Sequence, residues 1–213
     1  MILTNSSSAF VGINLARAIA SFASNLNQFM VYSDTEISKI ISGTGIGLVK
    51  NGNGTLTLSA QNTYTGNTQI NNGILSIINM LCLPGYNTNG RWTAVSDATL
   101  AVYNAVTDAD ITILRGTTNF KAGSNLGFDT TSGNRTYTPA ISNTSQGALG
   151  LVKLGANQLA LGGALRQFGE LRRLGALAVD LDAGLASRRV QQPAAQPRHR
   201  ARGHRVDARE GRL

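Results

Sequence analysis

From residue 43 onward, apolar and polar positions alternate in short runs. Leu56 and Leu58 alternate with Thr55 and Thr57, Ile70 follows Gln69, and Leu75 and Ile77 flank Ser76. A period of two is that of a strand with one buried face, so the pattern predicts several very short strands. Gly and Asn at 51–54, 66–67 and 71–73 separate them, and these residues supply the positive φ of tight turns. Strands so short do not stand as independent hairpins and must stack on neighbours. Leu100-Ala101-Val102-Tyr103, Ile111-Thr112-Ile113-Leu114 and Leu126-Gly127-Phe128 show the same alternation, which predicts further strands of the same stack joined by longer loops. Nearer the start the period changes: Leu15, Ile19, Phe22, Leu26 and Phe29 recur at the spacing of one helical face, with Ser8 placed to cap it. That pattern predicts an amphipathic helix covering the open end of the β structure. Its polar face lacks the Lys and Arg of a membrane-surface helix.

The strongest feature is a repeat. Residues 149–163 match residues 46–60 at seven of fifteen positions, pairing Gly47 with Gly150, Leu48 with Leu151, Val49 with Val152, Lys50 with Lys153, Gly52 with Gly155, Leu56 with Leu159 and Leu58 with Leu161. Glycine recurring at turns and leucine in strands suits a stacked array in which each coil sets like residues over the last. One coil buries too little to fold alone. Each buried Leu, Ile or Val contributes about 1.5–3 kcal/mol, against about 1–2 kcal/mol of backbone entropy for every ordered residue.

These residues resemble the autotransporter-associated β-strand repeat, also called the passenger-associated transport repeat. The matching positions are Gly45, Leu48, Lys50, Gly52, Gly54, Leu56 and Leu58, then Asn62, Tyr64, Gly66, Thr68, Ile70, Gly73 and Leu75. In the second copy they are Gly150, Leu151, Lys153, Gly155, Leu159 and Leu161. The glycine pair before Leu48 is one residue out of step, and where the second copy should hold Asn, Tyr and Gly it has Leu165, Gln167 and Gly169. The resemblance implies an all-β, right-handed parallel β-helix, or β-solenoid. Its divisions would be an N-terminal segment 1–40, a solenoid 41–163 with copies at 43–78 and 147–163, and a tail 164–213. It further implies a structural, non-enzymatic stalk of a bacterial surface or secreted protein that aids export and folding by stacking coil on coil. Its partners would be neighbouring coils of a longer parent chain, with surface glycans as a second candidate, and its location the outer membrane surface or the extracellular space.

Composition locates a break. The 213 residues carry a net charge of +8, but residues 164–213 hold eleven arginines against five acids and contain neither Asn nor Thr, both abundant before. Ala, Arg, Gly and Pro make up about half of that tail. An out-of-frame read of G/C-rich DNA near Ala164 accounts for this change better than a genuine basic tail, which would be disordered or bind an acidic partner. The run Arg198-His199-Arg200-Ala201-Arg202 has no interleaved aromatic residue, so no specific nucleic-acid partner is expected. The opening residues lack the cationic start of a secretory signal, and an exported protein would make this chain a fragment. A second copy cut off at Gly163 would leave an unpaired edge and a poorly soluble product.

Candidate chemistry is sparse. Both histidines, His199 and His204, lie in the tail, and Cys82 is the single cysteine. The rest of the chain therefore offers no nucleophilic triad and no His or Cys metal site, and no cofactor is expected. Asp108 and Asp110 on one strand face near Arg115 form the best candidate for a β-helical polysaccharide lyase or hydrolase. Exposed Trp92, Tyr86 and Tyr103 would serve a glycan-binding or adhesin role, although Trp92 also suits a loop plug against the core. Gly43-Thr44-Gly45-Ile46-Gly47 lacks phosphate-loop spacing and precedes a strand. No run of residues is long and apolar enough to span a bilayer.

Overall fold

The structure, a computed structural model, describes residues 2–5, 26–163, 165–166, 171–173 and 179–181. The first strands are β1 (Ile2–Asn5), β2 (Leu26–Val31), β3 (Thr35–Ile37), β4 (Gly47–Asn51), β5 (Thr55–Leu58), β6 (Thr68–Ile70), β7 (Ile74–Ile77), β8 (Trp92–Ala94) and β9 (Thr99–Tyr103). Helix α1 (Asp108–Gly116) follows. Then come β10 (Ser124–Asp129), β11 (Arg135–Tyr137), β12 (Ile141–Ser142), β13 (Leu149–Leu154), β14 (Leu159–Leu161), β15 (Leu165–Arg166), β16 (Leu171–Arg173) and β17 (Val179–Leu181). One sheet has the order β1-β2-β4-β6-β8 and a second the order β16-β13-β10-β9-β7-β5-β3, with smaller sheets β11-β14-β17 and β12-β15. Every strand pair among them is parallel. From β2 to β9 successive strands alternate between the first two sheets, from β10 to β17 they cycle through three, and strands one coil apart pair, which makes a parallel β-solenoid of about six turns.

Register turns the period-two pattern into columns. Leu56 pairs with Leu75 and Leu75 with Leu100, while Leu58 pairs with Ile77 and Ile77 with Val102. Leu126 and Phe128 continue the two columns, and all of these side chains are buried. In the facing sheet Leu48 stands over Thr68 and Thr68 over Trp92. The core is thus one continuous column, and removing any coil exposes the faces of two others. Asparagine supplies much of the welding at the corners. Asn104 Nδ2 donates to the Gly133 carbonyl at 3.0 Å, Asn119 Nδ2 to Thr88 at 2.9 Å and Asn157 Nδ2 to Thr130 at 2.7 Å, each spanning one coil. Such a carboxamide satisfies corner backbone groups that no ladder reaches.

Several expectations change. Ile111–Leu114 is helix, not strand, because Thr107 caps α1 reciprocally with Asp110: the Thr107 side chain accepts from Asp110 N while the Asp110 carboxylate accepts from Thr107 N. That capping box fixes a helical start, and Ile111 and Leu114, three apart, then share the buried face. Leu26 and Phe29 lie in β2, paired in parallel with β4, and so belong to a strand and not to an N-terminal helix. Ser8, Leu15, Ile19 and Phe22 fall outside the described residues. Pairing also passes Gly163: β15 lies on β12, β16 on β13 and β17 on β14, so the stack does not end at the composition break. A 3-10 turn at Met80–Cys82, capped by Asn79, had no period to announce it.

Candidate functional site: two lysine corners

Lys50 is the penultimate residue of β4, on the same side of the strand as Leu48, and both are fully buried. A lysine stem can lie along apolar surface, but its ammonium must find acceptors. Lys50 Nζ donates to the carbonyl of Asn51, the last residue of β4, at 3.0 Å, to that of Gly52 in the turn that follows at 2.7 Å, and to that of Asn72 in the next coil at 3.0 Å. Burial draws its pKa down to about 8. Gly52 makes the turn possible: its φ is +77°, and a Cβ there would run into the Val31 main chain of the preceding coil. One corner therefore grips the coils on either side of it.

The rest of the first copy has equally specific tasks. Asn62 spans three coils, its Oδ1 accepting from Ile41 N and its Nδ2 donating to Cys82 O, both at 2.8 Å. Tyr64 is buried with its hydroxyl 2.6 Å from Thr68 Oγ1, and burial pushes its pKa up to about 12. Gly66 leaves no room for a side chain against the Ile46 carbonyl that its own N–H binds at 2.6 Å. Leu56, Leu58, Ile70 and Leu75 fill the column. Gly45, Gly54 and Gly73 lie just before β4, β5 and β7.

The second copy repeats the corner at another place. Lys153 is the penultimate residue of β13, is buried, and donates from Nζ to Gly155 O at 2.7 Å. Gly155 has φ +73° and abuts the backbone at Thr130–Thr131 of the preceding coil. Leu151, Leu159 and Leu161 are buried, and Gly150 pairs with Asn125. The two lysines nevertheless do not share a column. Lys50 lies over Ile70, which lies over Ala94 and then Phe120. Lys153 lies over Phe128, which continues through Val102 and Ile77 to Leu58. The expectation that like residues stack on like fails for these copies, because the motif encodes a strand, a corner and a strand, and the second copy turns the corner one face further round.

The candidate lyase residues are engaged elsewhere. Asp108 and Asp110 open helix α1 and do not share a strand face. Asp108 Oδ2 accepts from Thr138 N at 3.1 Å and Thr138 Oγ1 at 3.0 Å, and Asp110 Oδ2 accepts from Thr107 N and Oγ1. Arg115 donates to the carbonyls of Ala140 and Ser142, both at 3.0 Å. These contacts staple α1 to the following coil. Arg135 adds to them, a role no motif signalled: it is buried, donates to Tyr103 O at 2.9 Å and Val106 O at 2.7 Å, pairs with Asp108 at 3.5 Å and lies over the Phe128 ring. Trp92 is not exposed. It is fully buried, edge-on to Phe120, and its indole N–H donates to Tyr86 O at 2.8 Å. Tyr86 and Tyr103 are partly buried.

Among the described residues no group of three or more His, Cys, Asp or Glu could hold a metal ion, and no helix is long and apolar enough to cross a membrane. Residues 48–77, which run from within β4 to the end of β7, match the family model of the passenger-associated transport repeat. No curated protein and no solved structure gives a match.

Proposed function

We propose that this chain is a structural passenger or stalk segment of an autotransporter-like bacterial protein, at the cell surface or secreted, with no catalytic role. The matched repeat and the parallel solenoid are consistent with a passenger-type segment. The observation that carries the reading is that the motif residues Lys50, Leu56, Asn62 and Leu75 join one coil to the next: ammonium to carbonyl, carboxamide to backbone, or leucine over leucine. Such a chain gains stability with each coil added, so folding outside the membrane favours onward movement of an unfolded chain through a pore. Its partners are the neighbouring coils of a longer parent chain. A lyase centred on Asp108 and Asp110 has less support, since both carboxylates hold the helix in place, and a glycan site on Trp92 has less still.

The test places the chain between a secretion signal and an outer-membrane barrel translocator and measures surface exposure by protease shaving of intact cells. Surface display that falls sharply when Gly52 is replaced by valine supports the reading. Display indifferent to that replacement, under conditions where the variant is shown to be unfolded, refutes it.

A further inference from the structure

Four Asn-Gly pairs lie in the described chain: Asn51-Gly52, Asn53-Gly54, Asn72-Gly73 and Asn89-Gly90. In such a pair the glycine nitrogen can attack the asparagine side chain, because no Cβ shields it. Three of the four are tied down. The Asn51 carboxamide accepts from Asn71 Nδ2 at 3.0 Å within a strand, the Gly54 N–H is bound to Val31 O at 2.8 Å, and the Gly90 N–H is bound to Asn119 Oδ1 at 2.7 Å. Asn89 is held as well, accepting from Thr118 N. Asn72 differs on every count. It is exposed, its side chain makes no hydrogen bond among the described residues, and the Gly73 N–H has no acceptor among them. The carbonyl of this same peptide unit takes the 3.0 Å hydrogen bond from the Lys50 ammonium. When the Gly73 nitrogen loses its proton, the negative charge is shared with that oxygen, where a buried cation stabilises it.

We propose that Asn72-Gly73 is a self-modification site activated by Lys50. The Gly73 nitrogen gives its proton to solvent base and bonds to Cγ of Asn72. The Cγ–Nδ2 bond breaks and ammonia leaves, closing a succinimide. Water then opens the ring at either carbonyl, to aspartate or to isoaspartate. One water is consumed, one ammonia is released and no redox change occurs. The isoaspartyl product routes the main chain through the side chain and lengthens it by one atom, which displaces the carbonyl that Lys50 holds. The third acceptor of the corner, and with it the grip on the next coil, is lost.

The full chain, folded and separately unfolded in denaturant, is aged in heavy-oxygen water, and the label at each of the four asparagines is read by peptide mass mapping. In the folded protein Asn72 should convert about tenfold faster than Asn53 and Asn89, because those sites must first give up a hydrogen bond of about 1.4 kcal/mol. In denaturant the four rates should converge. Folded Asn53 or Asn89 keeping pace with Asn72 would overturn the proposal. Activation by Lys50 is read on the same unaltered protein: the folded-to-unfolded rate ratio at Asn72 should fall as pH rises past about 8, where the ammonium loses its proton. A ratio flat with pH would remove Lys50 from the mechanism.

Discussion

The corners at Lys50 and Lys153 share a strand, a buried lysine and a left-handed glycine, yet they differ in what they reach. Lys50 draws one acceptor from the following coil, and among the described residues Lys153 is bound to Gly155 of its own turn. Both glycines lie against the coil before. The backward half of the corner is therefore written into the short motif itself, and in the first copy the forward half reaches the Asn72 carbonyl a coil later. The first copy has that continuation through Asn62, Tyr64, Gly66 and Thr68, and the second has Leu165 and Gln167 in the corresponding places.

Mutations can break this comparison in order of size. Gly52→Val and Gly155→Val should each lose about 3–5 kcal/mol in denaturant titrations, combining strain at positive φ with a backbone collision. Near-equal losses are expected, since the backward contact is common to both corners. Lys50→Met should lose about 2 kcal/mol, because it leaves the Asn51, Gly52 and Asn72 carbonyls without the ammonium, and an unchanged stability would mean that the forward contact carries no energy. Asn62→Ala should lose about 2 kcal/mol, one hydrogen bond on each side, whereas Leu165→Ala has no such bond to lose.

Stability should also respond to alkaline pH. Folding lowers the Lys50 pKa to about 8 from 10.5, so above pH 8 the unfolded chain holds more protons and stability rises with pH, by about 3 kcal/mol across that window. Tyr64 acts in the opposite sense. Its folded pKa of about 12 exceeds the ordinary 10.0, so its contribution is present below pH 10 and is lost as pH climbs toward 12. Thermal melts should therefore peak near pH 10, and Lys50→Met should abolish the rise while leaving the fall. Asp108→Asn is the smallest effect, under about 1 kcal/mol, since it weakens a long ion pair from a partly exposed carboxylate and keeps an acceptor for Thr138.

Strand, turn and stack were legible in the sequence because they rest on period two and on glycine, which are local. Leu56, Leu58, Leu75 and Ile77 occupy the columns their alternation predicts. Ile111–Leu114 misled because four residues of alternation cannot distinguish a strand from one turn of helix, and the Thr107 capping box decided the matter. The separation of Lys50 from Lys153 was illegible for another reason. Coil length varies, with a helix inserted between β9 and β10, and a repeat in sequence does not count faces in space. Arg135 escaped notice because its partners, Tyr103 and Val106, are distant in the chain and are met through main-chain carbonyls.

The central claim is that Lys153 stacks on Phe128 in a parallel column that runs back to Leu58, while Lys50 stands in a different one. Nuclear Overhauser contacts in isotope-labelled protein test it directly. The account predicts cross-strand contacts linking Leu58 to Ile77, Ile77 to Val102, Val102 to Phe128 and Phe128 to Lys153, with Lys50 meeting Ile70 instead. Antiparallel contacts among these strands, or a column that joins Lys50 to Lys153 through the intervening coils, would contradict it.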